Sequence, residues 1–335
     1  MKFHLFTYKL LFVILLFTHI TSCDSDKEIP TIDIKGKNAI CEIPFMRFPY
    51  RIGLNKEQLI ILDMASDSMF YHVIKYPELK YQYSIGKRGS GPNEIVLPTP
   101  FQFYNDKLFL MDGINSKLMC FQQNDENIYT LQQKKELGSS RSVDFVIVND
   151  SVTYIENLNG DSRIIKHTNK KAEKMFSIPS AVSNREDFNS VELALTWRSF
   201  MTYNGNLNKL ALVTQMGDVL EIFDMNNNTA VVKYGKIGQP NTQKQIEGYH
   251  YVEWKDNKIY ALYSGRDRDE LDRNFNMGKR LPDGGNFIKV FSDNGDFIKQ
   301  YRLDHFINSF TFCNEDNTII GITSNQDEPL IYFDL

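Results

Sequence analysis

The chain has 335 residues, of which 42% are hydrophobic and 24% are charged, and its formal net charge is −4 at pH 7. This acidic balance argues against nucleic-acid binding, which needs a basic stripe. The length would suit two domains, but an all-β fold of this size often forms one. The 4 cysteines form no Cys-x-x-Cys pair of the kind found in zinc and redox sites.

The N-terminus has the features of a targeting segment. Lys2 and Lys9 supply positive charge before the apolar run Leu10–Phe17, which is far shorter than the roughly 20 residues of a membrane-spanning helix. We therefore expect a signal peptide over residues 1–22. Its removal takes away both lysines and no acidic residue, which changes the net charge from −4 to −6.

The signal peptide ends in a sequence that resembles the bacterial lipobox, Ile-Thr-Ser-Cys at Ile20–Cys23. In that motif the cysteine is lipidated and becomes the mature N-terminus, and its acyl chains anchor the protein in the membrane. The largely acidic residues 24–28 also resemble the export signal of Bacteroidetes surface lipoproteins. We expect an outer-membrane lipoprotein with a tether over residues 23–30, facing either the cell surface or the periplasm. An ordinary cleaved signal peptide is the alternative.

From residue 31 to the end, the chain repeats a polar turn followed by a short apolar strand. The strands are anchored on six aliphatic residues, Leu59, Leu108, Val152, Leu210, Ile259 and Ile319. Steps of 49, 44, 58, 49 and 60 residues separate these anchors. A period near fifty that carries several strands is typical of a propeller, whose blades contain four antiparallel strands. We therefore predict an all-β fold, a six-bladed β-propeller over residues 31–335.

The last repeat stops at Leu335, before its final outer strand. We expect an N-terminal strand to complete the last blade, because a strand edge would otherwise stay unpaired. Thr31–Ile34 alternates apolar and polar residues, and we predict that it fills this position. The alternative is that residues 24–44 form only a disordered tether.

Glycine-rich turns follow the outer strands of the first and fourth repeats, at Ser84–Glu94 and Tyr234–Pro240. Glycine permits the positive φ values that such turns between blades need. The first turn, Ser-Ile-Gly-Lys-Arg-Gly-Ser-Gly-Pro-Asn-Glu, does not match the phosphate-binding Walker pattern. With the blade pattern, it resembles the six-bladed TolB-like propeller lipoproteins of Bacteroidetes, which are distantly similar to NHL-repeat propellers. The resemblance implies the fold over residues 40–335 and carries no reaction or ligand.

The sequence contains no common hydrolase or metal-binding motif, and no catalytic residue, metal or cofactor is predicted. The charged stretch Gly265–Asn286 is the longest interruption inside a repeat. Its Asp267, Asp269 and Asp272 partly match the spacing of a calcium loop, but the glycine and the final glutamate of such a loop are missing. We therefore interpret this stretch as a mobile charged loop without a metal.

Six dipeptides immediately precede the inner strands and are expected to surround one mouth of the central channel. They are Tyr50-Arg51, Thr99-Pro100, Arg141-Ser142, Trp197-Arg198, Tyr249-His250 and Asn308-Ser309. Arginine suits carboxylate and phosphate groups, and the aromatic side chains of Tyr50, Trp197 and Tyr249 could stack on a ring of the ligand. A ligand site is predicted from Arg51, Arg141, Trp197, Arg198, Tyr249 and His250. The alternative is that the arginines pair with blade-interior acids such as Asp144 or Glu253.

These features predict a membrane-anchored, non-enzymatic propeller that binds a small anionic or glycan-like ligand or an envelope partner protein. The alternative is a lyase or hydrolase with its active site at the channel mouth. A compact acid–base group would favour the enzyme, for example His250 within hydrogen-bond reach of a carboxylate and beside an arginine.

The variant Cys23→Ala tests lipidation. It is expected to move from the membrane fraction to the soluble fraction, because it lacks the residue that carries the acyl chains. The measurements are pelleting with membranes and incorporation of labelled palmitate by the unchanged protein. A variant that still pellets, beside an unchanged protein that takes up no label, would contradict the anchor.

Overall fold

The computed structural model describes residues 30–138, 141–160, 162–179, 189–240, 245–313 and 317–335. Cys23 and the expected signal peptide lie outside these residues. Two short strands come first, β1 (Thr31–Ile34) and β2 (Lys37–Asn38). Together with the strands that follow, they form six sheets, which are the blades of a propeller.

Each of the first three blades has four antiparallel strands that are adjacent in chain order. Blade 1 contains β3 (Pro49–Asn55), β4 (Gln58–Asp63), β5 (Met69–Lys75) and β6 (Lys80–Lys87). Blade 2 contains β7 (Gln102–Tyr104), β8 (Lys107–Asp112), β9 (Lys117–Gln123) and β10 (Tyr129–Glu136). Blade 3 contains β11 (Phe145–Asn149), β12 (Val152–Glu156), β13 (Ser162–His167) and β14 (Ala172–Ser177).

The remaining blades repeat this order, and the first strands of neighbouring blades contact one another around the axis. Blade 4 contains β15 (Ser199–Asn204), β16 (Lys209–Thr214), β17 (Val219–Asp224) and β18 (Thr229–Tyr234). Blade 5 contains β19 (Ile246–Lys255), β20 (Lys258–Asp267), β21 (Gly285–Phe291) and β22 (Phe297–Ile307). Blade 6 contains β23 (Ser309–Phe312), β24 (Thr318–Ile322) and β25 (Leu330–Asp334).

The predicted six-bladed propeller is confirmed, and each anchor residue lies in the second strand of its blade. Two helices accompany the two longest steps of the repeat. Helix α1 (Ser190–Thr196) precedes blade 4 and is capped by Asn189. Helix α2 (Arg268–Asn276) lies between β20 and β21.

Helix α2 corrects the interpretation of Gly265–Asn286 as a mobile loop. The Asp267 side chain accepts hydrogen bonds from the backbone N–H groups of Asp269 and Glu270, and so it caps the helix. Acidic side chains in the first turn also favour the positive end of the helix dipole. The aspartates that partly match a calcium loop therefore belong to a helix N-terminus. Among the described residues, no helix has both the length and the apolar character needed to cross a membrane.

Neighbouring blades bury an apolar cluster between them, and the described residues form one such cluster at each of the six interfaces. In strand β4, Ile60 and Leu62 pack towards blade 2, whereas Leu59 and Ile61 pack towards blade 6. All four side chains are fully buried, and each such burial is worth about 1.5–3 kcal/mol. Because side chains alternate along a strand, the second strand of a blade needs apolar residues on both faces.

The N-terminal segment completes the ring, as predicted, but with a different strand. Strand β2 pairs with β25 and supplies the fourth strand of blade 6. Strand β1 pairs in parallel with β22 and adds a fifth strand to blade 5. The prediction that Thr31–Ile34 closes the last blade was therefore wrong. Alternation of side chains identifies a strand, but it does not distinguish between two open edges on neighbouring blades.

Gly36 carries the chain from blade 5 to blade 6. A Cβ atom at this position would come within 2.5 Å of Ile331 Cγ2 and 2.8 Å of Phe333 Cε1. The backbone N–H of Gly36 also donates a hydrogen bond to Asp304 Oδ1 at 2.8 Å. The absence of a side chain is therefore what allows β1 and β2 to lie on adjacent blades.

A buried ion pair joins blade 3 to blade 4. The Arg163 guanidinium donates to Glu221 Oε2 from Nε at 3.0 Å and from Nη2 at 2.6 Å, and both side chains are inaccessible to solvent. Glu156 accepts a hydrogen bond from the backbone N–H of Ser199. Burial raises the pKa of Glu156 to about 8, against the opposing charge of Arg163. In the folded protein the Glu156 carboxyl group is therefore protonated at neutral pH.

Deletion of residues 31–38 tests the closure. It should lower the melting temperature in a thermal scan, because it leaves the edges of β22 and β25 unpaired. Asp33→Ala is the control, since it removes only an exposed ion pair with Arg302 and keeps both strands, and it should change the melting temperature little. Equal melting temperatures for the deletion and the unchanged protein would show that the segment is only a tether.

Glu156→Gln tests the buried carboxyl group. The folded-state pKa of about 8 lies above the ordinary value of 4.5, so folding takes up a proton and stability falls as the pH rises through this interval. A glutamine cannot ionise. The variant should therefore lack the fall in unfolding free energy that Glu156 causes, up to about 1.4 kcal/mol per pH unit. The measurement is urea unfolding across this interval. If the variant and the unchanged protein have the same pH dependence, the carboxyl group is not protonated in the fold.

Candidate functional site

A cavity of about 380 Å³ lies at one mouth of the central channel. Its walls come from the starts of the inner strands of blades 1, 4, 5 and 6 and from the segment around helix α2. The lining residues are Phe48, Tyr50, Arg198, Phe200, Gln215, Met216, Gln245, Ile246, Glu247, Tyr249, His250, Arg268, Asp283, Gly284 and Asn308. Its volume falls within the range of small-molecule sites.

Blades 4 and 5 are held together at this mouth by backbone hydrogen bonds. The N–H of Gly248 donates to Gln215 O at 2.8 Å, and the N–H of Gly217 donates to Ile246 O at 3.0 Å, whereas the bond from Gln215 N–H to Arg198 O at 2.9 Å lies within blade 4. A Cβ atom at Gly248 would come within 2.4 Å of Gly217 O, so only glycine permits this approach. These contacts fix the backbone on both sides of the cavity.

Arg198 presents a positive charge to the cavity and forms no ion pair with an acidic side chain among the described residues. It lies between helix α1 and strand β15, and its side chain is half-buried. Its Nε atom is buried and has no hydrogen-bond partner in the part of the chain that the structure describes. The charge of Arg198 acts on Glu156, but that carboxyl group is protonated at neutral pH. Arg198 is therefore available to an anion in the cavity.

Glu247 is the centre of a compact charged group. Its Oε2 accepts from Arg266 Nη2 at 2.6 Å and Nε at 3.0 Å, and from Ser264 Oγ at 2.7 Å. The Nε2 atom of His250 lies 3.7 Å from the same oxygen, which is longer than a hydrogen bond. Burial alone would raise the pKa of Glu247, but the neighbouring His250, Arg266 and Ser264 lower it to about 2. Glu247 is therefore ionised and already paired.

Arg51 lies behind the cavity wall rather than in it. It is 2% exposed, and its guanidinium carbon sits 4.1 Å from the ring centre of Tyr50 and 4.2 Å from that of Phe200. Its Nη1 donates to the carbonyl oxygens of Tyr50 and Asn308, both at 3.2 Å. Through these contacts, Arg51 holds the aromatic wall in place and links blade 1 to blade 6.

The two acids named as alternative partners do not form ion pairs with Arg51 within the described ranges. Asp144 accepts from the backbone N–H groups of Phe145 and Met201, and burial raises its pKa to about 7 against these bonds and the charge of Arg51. Burial likewise raises the pKa of Glu253 to about 8. The guanidinium of Arg51 is surrounded by aromatic rings in cation–π contact rather than by carboxylates.

The structure brings together only part of the predicted site. Arg198, Tyr249 and His250 line the cavity. Tyr249 is 2% exposed, and its hydroxyl donates to Asp218 Oδ1 at 2.7 Å. It contributes to the wall and is not free to stack on a ligand. Tyr50 is half-buried at the cavity and stacks on Phe48, with ring centres 5.8 Å apart.

Trp197 and Arg141 are not among the lining residues. Trp197 is fully buried against Leu193, Ala194 and Val219, under helix α1. It cannot stack on a ligand, because the helix that precedes it folds back over the ring. Arg141 is exposed before blade 3.

Sequence reasoning missed several lining residues, chiefly Glu247, Arg268, Asp283, Gln215 and Gln245. Gln245 and Glu247 lie four and two residues before Tyr249, and Arg268 and Asp283 belong to the long charged stretch in blade 5. Their proximity depends on how that stretch folds back over the mouth. Among the described residues, no cluster of three or more His, Cys, Asp or Glu side chains could hold a metal ion.

Solved structures with the same fold include two proteins from Bacteroides. A protein of Bacteroides fragilis named as exported has 13% identity and a TM-score of 0.56, over 91% of this chain and 98% of the other. A DUF4221 family member from Bacteroides vulgatus has 11% identity and a TM-score of 0.52, over 89% and 97%. A streptogramin B lyase has 12% identity and a TM-score of 0.50, over 90% and 98%. These likenesses show the fold alone.

A search among curated proteins found no match to this sequence. The family model described as "TolB-like 6-blade propeller-like" matches residues 31–315. This match spans blades 1 to 5 and the first strand of blade 6, and the blade order of the structure agrees with it. The chain therefore belongs to the TolB-like six-blade propeller family.

Proposed function

We propose that this protein is an exported lipoprotein, anchored through Cys23, whose propeller binds a small anionic or glycan-like ligand at the channel mouth without catalysing a reaction. The proposal for export is supported by the N-terminal segment and by the exported name of the Bacteroides fragilis protein. The proposal for the ligand rests on the mouth cavity.

Arg198 is the single observation that carries the ligand proposal. A half-buried guanidinium with an unpartnered Nε is costly unless something accepts its hydrogen bonds. A carboxylate or phosphate group can accept two parallel hydrogen bonds from such a group. The adjacent wall of Phe48, Tyr50 and Phe200 supplies an apolar surface for the rest of the ligand.

An enzyme is the alternative, and one observation favours it. His250 lies at the cavity beside Glu247 and Arg266, in the arrangement that an acid–base site would need. The pKa of Glu247 is about 2, so this carboxylate is too weak a base to remove a proton, and proton transfer would fall to His250. Of these two functions, we favour binding, because Glu247 is fully engaged by Arg266 and Ser264.

Arg198→Ala tests the site with a panel of small carboxylic and uronic acids and their neutral analogues, by isothermal titration calorimetry. An acid that binds the unchanged protein should lose about 1.5–3 kcal/mol of binding free energy in the variant, the range for a hydrogen bond to a charged group. Arg273→Ala is the control, since Arg273 is exposed on helix α2 and does not line the cavity.

Equal binding of every acid to Arg198→Ala and to the unchanged protein would contradict the role of Arg198. Conversion of a bound acid to product, abolished by His250→Ala, would establish the enzyme instead.

A further inference from the structure

The cavity contains a second charge without a partner, and its sign is opposite to that of Arg198. Asp283 is exposed at the cavity wall. Its backbone is fixed, because its N–H donates to Asn325 Oδ1 at 2.7 Å and its carbonyl accepts from Asn325 Nδ2 at 2.9 Å. Its carboxylate receives only a long hydrogen bond from Ser324 Oγ, at 3.5 Å. No lysine, arginine or histidine among the described residues pairs with it.

The other charged residues of the cavity are already compensated. Glu247 is paired with Arg266 at 2.6 Å and has His250 at 3.7 Å. Arg268 is paired with Asp272, one helical turn further along α2, at 3.3 Å. Among the lining residues that the structure describes, Arg198 and Asp283 are therefore the arginine and the acidic residue that form no ion pair.

The two unpaired charges come from the two sides of blade 5. Arg198 is fixed to blade 4 as the residue before strand β15, whereas Asp283 is bonded to Ser324 and Asn325 of blade 6. The start of β19 lies between them and contributes Ile246, among others, to the same cavity. The two charges thus enter the same cavity from different blades.

We infer that the ligand of this cavity is a short peptide with free termini, whose carboxylate binds Arg198 and whose ammonium group binds Asp283. This inference rests on the proposed function, from which it takes the carboxylate site at Arg198, and it narrows the ligand to one that also carries a cationic group. A chain of two or three residues spans about 7–10 Å when extended, and the cavity of about 380 Å³ can hold it. The side-chain amides of Gln215 and Gln245 supply donors and acceptors for its peptide groups.

The polarity of the cavity separates this ligand from simpler ones. A ligand with anionic groups at both ends would place one of them against Asp283, and like charges repel. A neutral glycan would leave both Arg198 and Asp283 without a counter-charge. A peptide also brings an apolar side chain, which the Phe48 and Tyr50 rings can contact. Of these three ligand classes, the zwitterionic peptide is the one that offers a group to each charge and to the aromatic wall.

The test uses the tripeptide Ala-Phe-Ala, its N-acetylated form and its C-amidated form, titrated calorimetrically into the whole protein. The unchanged protein should bind the free tripeptide best and lose affinity about three- to tenfold on acetylation, since Asp283 is exposed to solvent. Amidation should cost about tenfold or more, because Arg198 is half-buried.

Two variants assign each terminus. Asp283→Asn keeps the shape of the side chain and should bind the free and the acetylated tripeptide equally well. Arg198→Ala should bind the free and the amidated tripeptide equally well. Asp269→Asn is the matched control, because it removes the same charge from the same segment away from the cavity, and it should retain the full effect of acetylation.

The possible outcomes distinguish this inference from the function on which it rests. Small acids could bind through Arg198 while acetylation of the tripeptide leaves the affinity of the unchanged protein unaltered, or lowers the affinities of the unchanged protein and of Asp283→Asn by the same factor. In either case the ligand is an anion and the peptide inference is wrong. If the tripeptide does not bind while such acids do, the inference is also wrong. If neither class binds, the proposed function fails with it.

Discussion

Burial of both faces of every blade is the constraint on which this structure depends. Each second strand places alternate side chains into two different interfaces, as Leu59 and Ile60 do on β4. No blade can bury both faces unless the ring is closed, so blade 6 must meet blade 1. That interface includes Ala39 and Met46 from the N-terminal side of blade 1 and Leu330 from blade 6. Closure by β2 therefore stabilises a contact on which all other interfaces depend.

Because the ring is closed, the fold can hold polar side chains at the mouth that lack a hydrogen-bond partner or an ion pair among the described residues. Apolar clusters at the interfaces fix the inner strands, and the starts of these strands converge where no further layer covers them. Trp197, buried beneath helix α1, sets the backbone from which Arg198 extends. Arg51, enclosed by Tyr50 and Phe200, holds the adjacent aromatic wall. The backbone of such a rigid frame needs no reordering on binding, which favours affinity for a small ligand.

The spacing of the repeats predicted the blades well, because the turns and apolar strands that mark each repeat are local features of the sequence. The identity of the closing strand was not predictable in this way, since β1 and β2 are both short segments beside open edges. Trp197 was misassigned because an aromatic residue before an inner strand has the same pattern whether it faces solvent or a helix. Asp283 and Glu247 were missed because the folding of the long charged stretch and of the start of β19 over the mouth, not residue type, decides which charges line the cavity.

A crystal structure of the protein grown with Ala-Phe-Ala would show whether Arg198 and Asp283 at the mouth bind the two ends of one ligand. We expect the peptide to lie across the mouth, with its carboxylate within hydrogen-bond distance of Arg198 and its ammonium group at Asp283. A peptide bound in the reverse direction, a peptide bound elsewhere on the propeller, or a mouth without peptide at saturating concentration would contradict it.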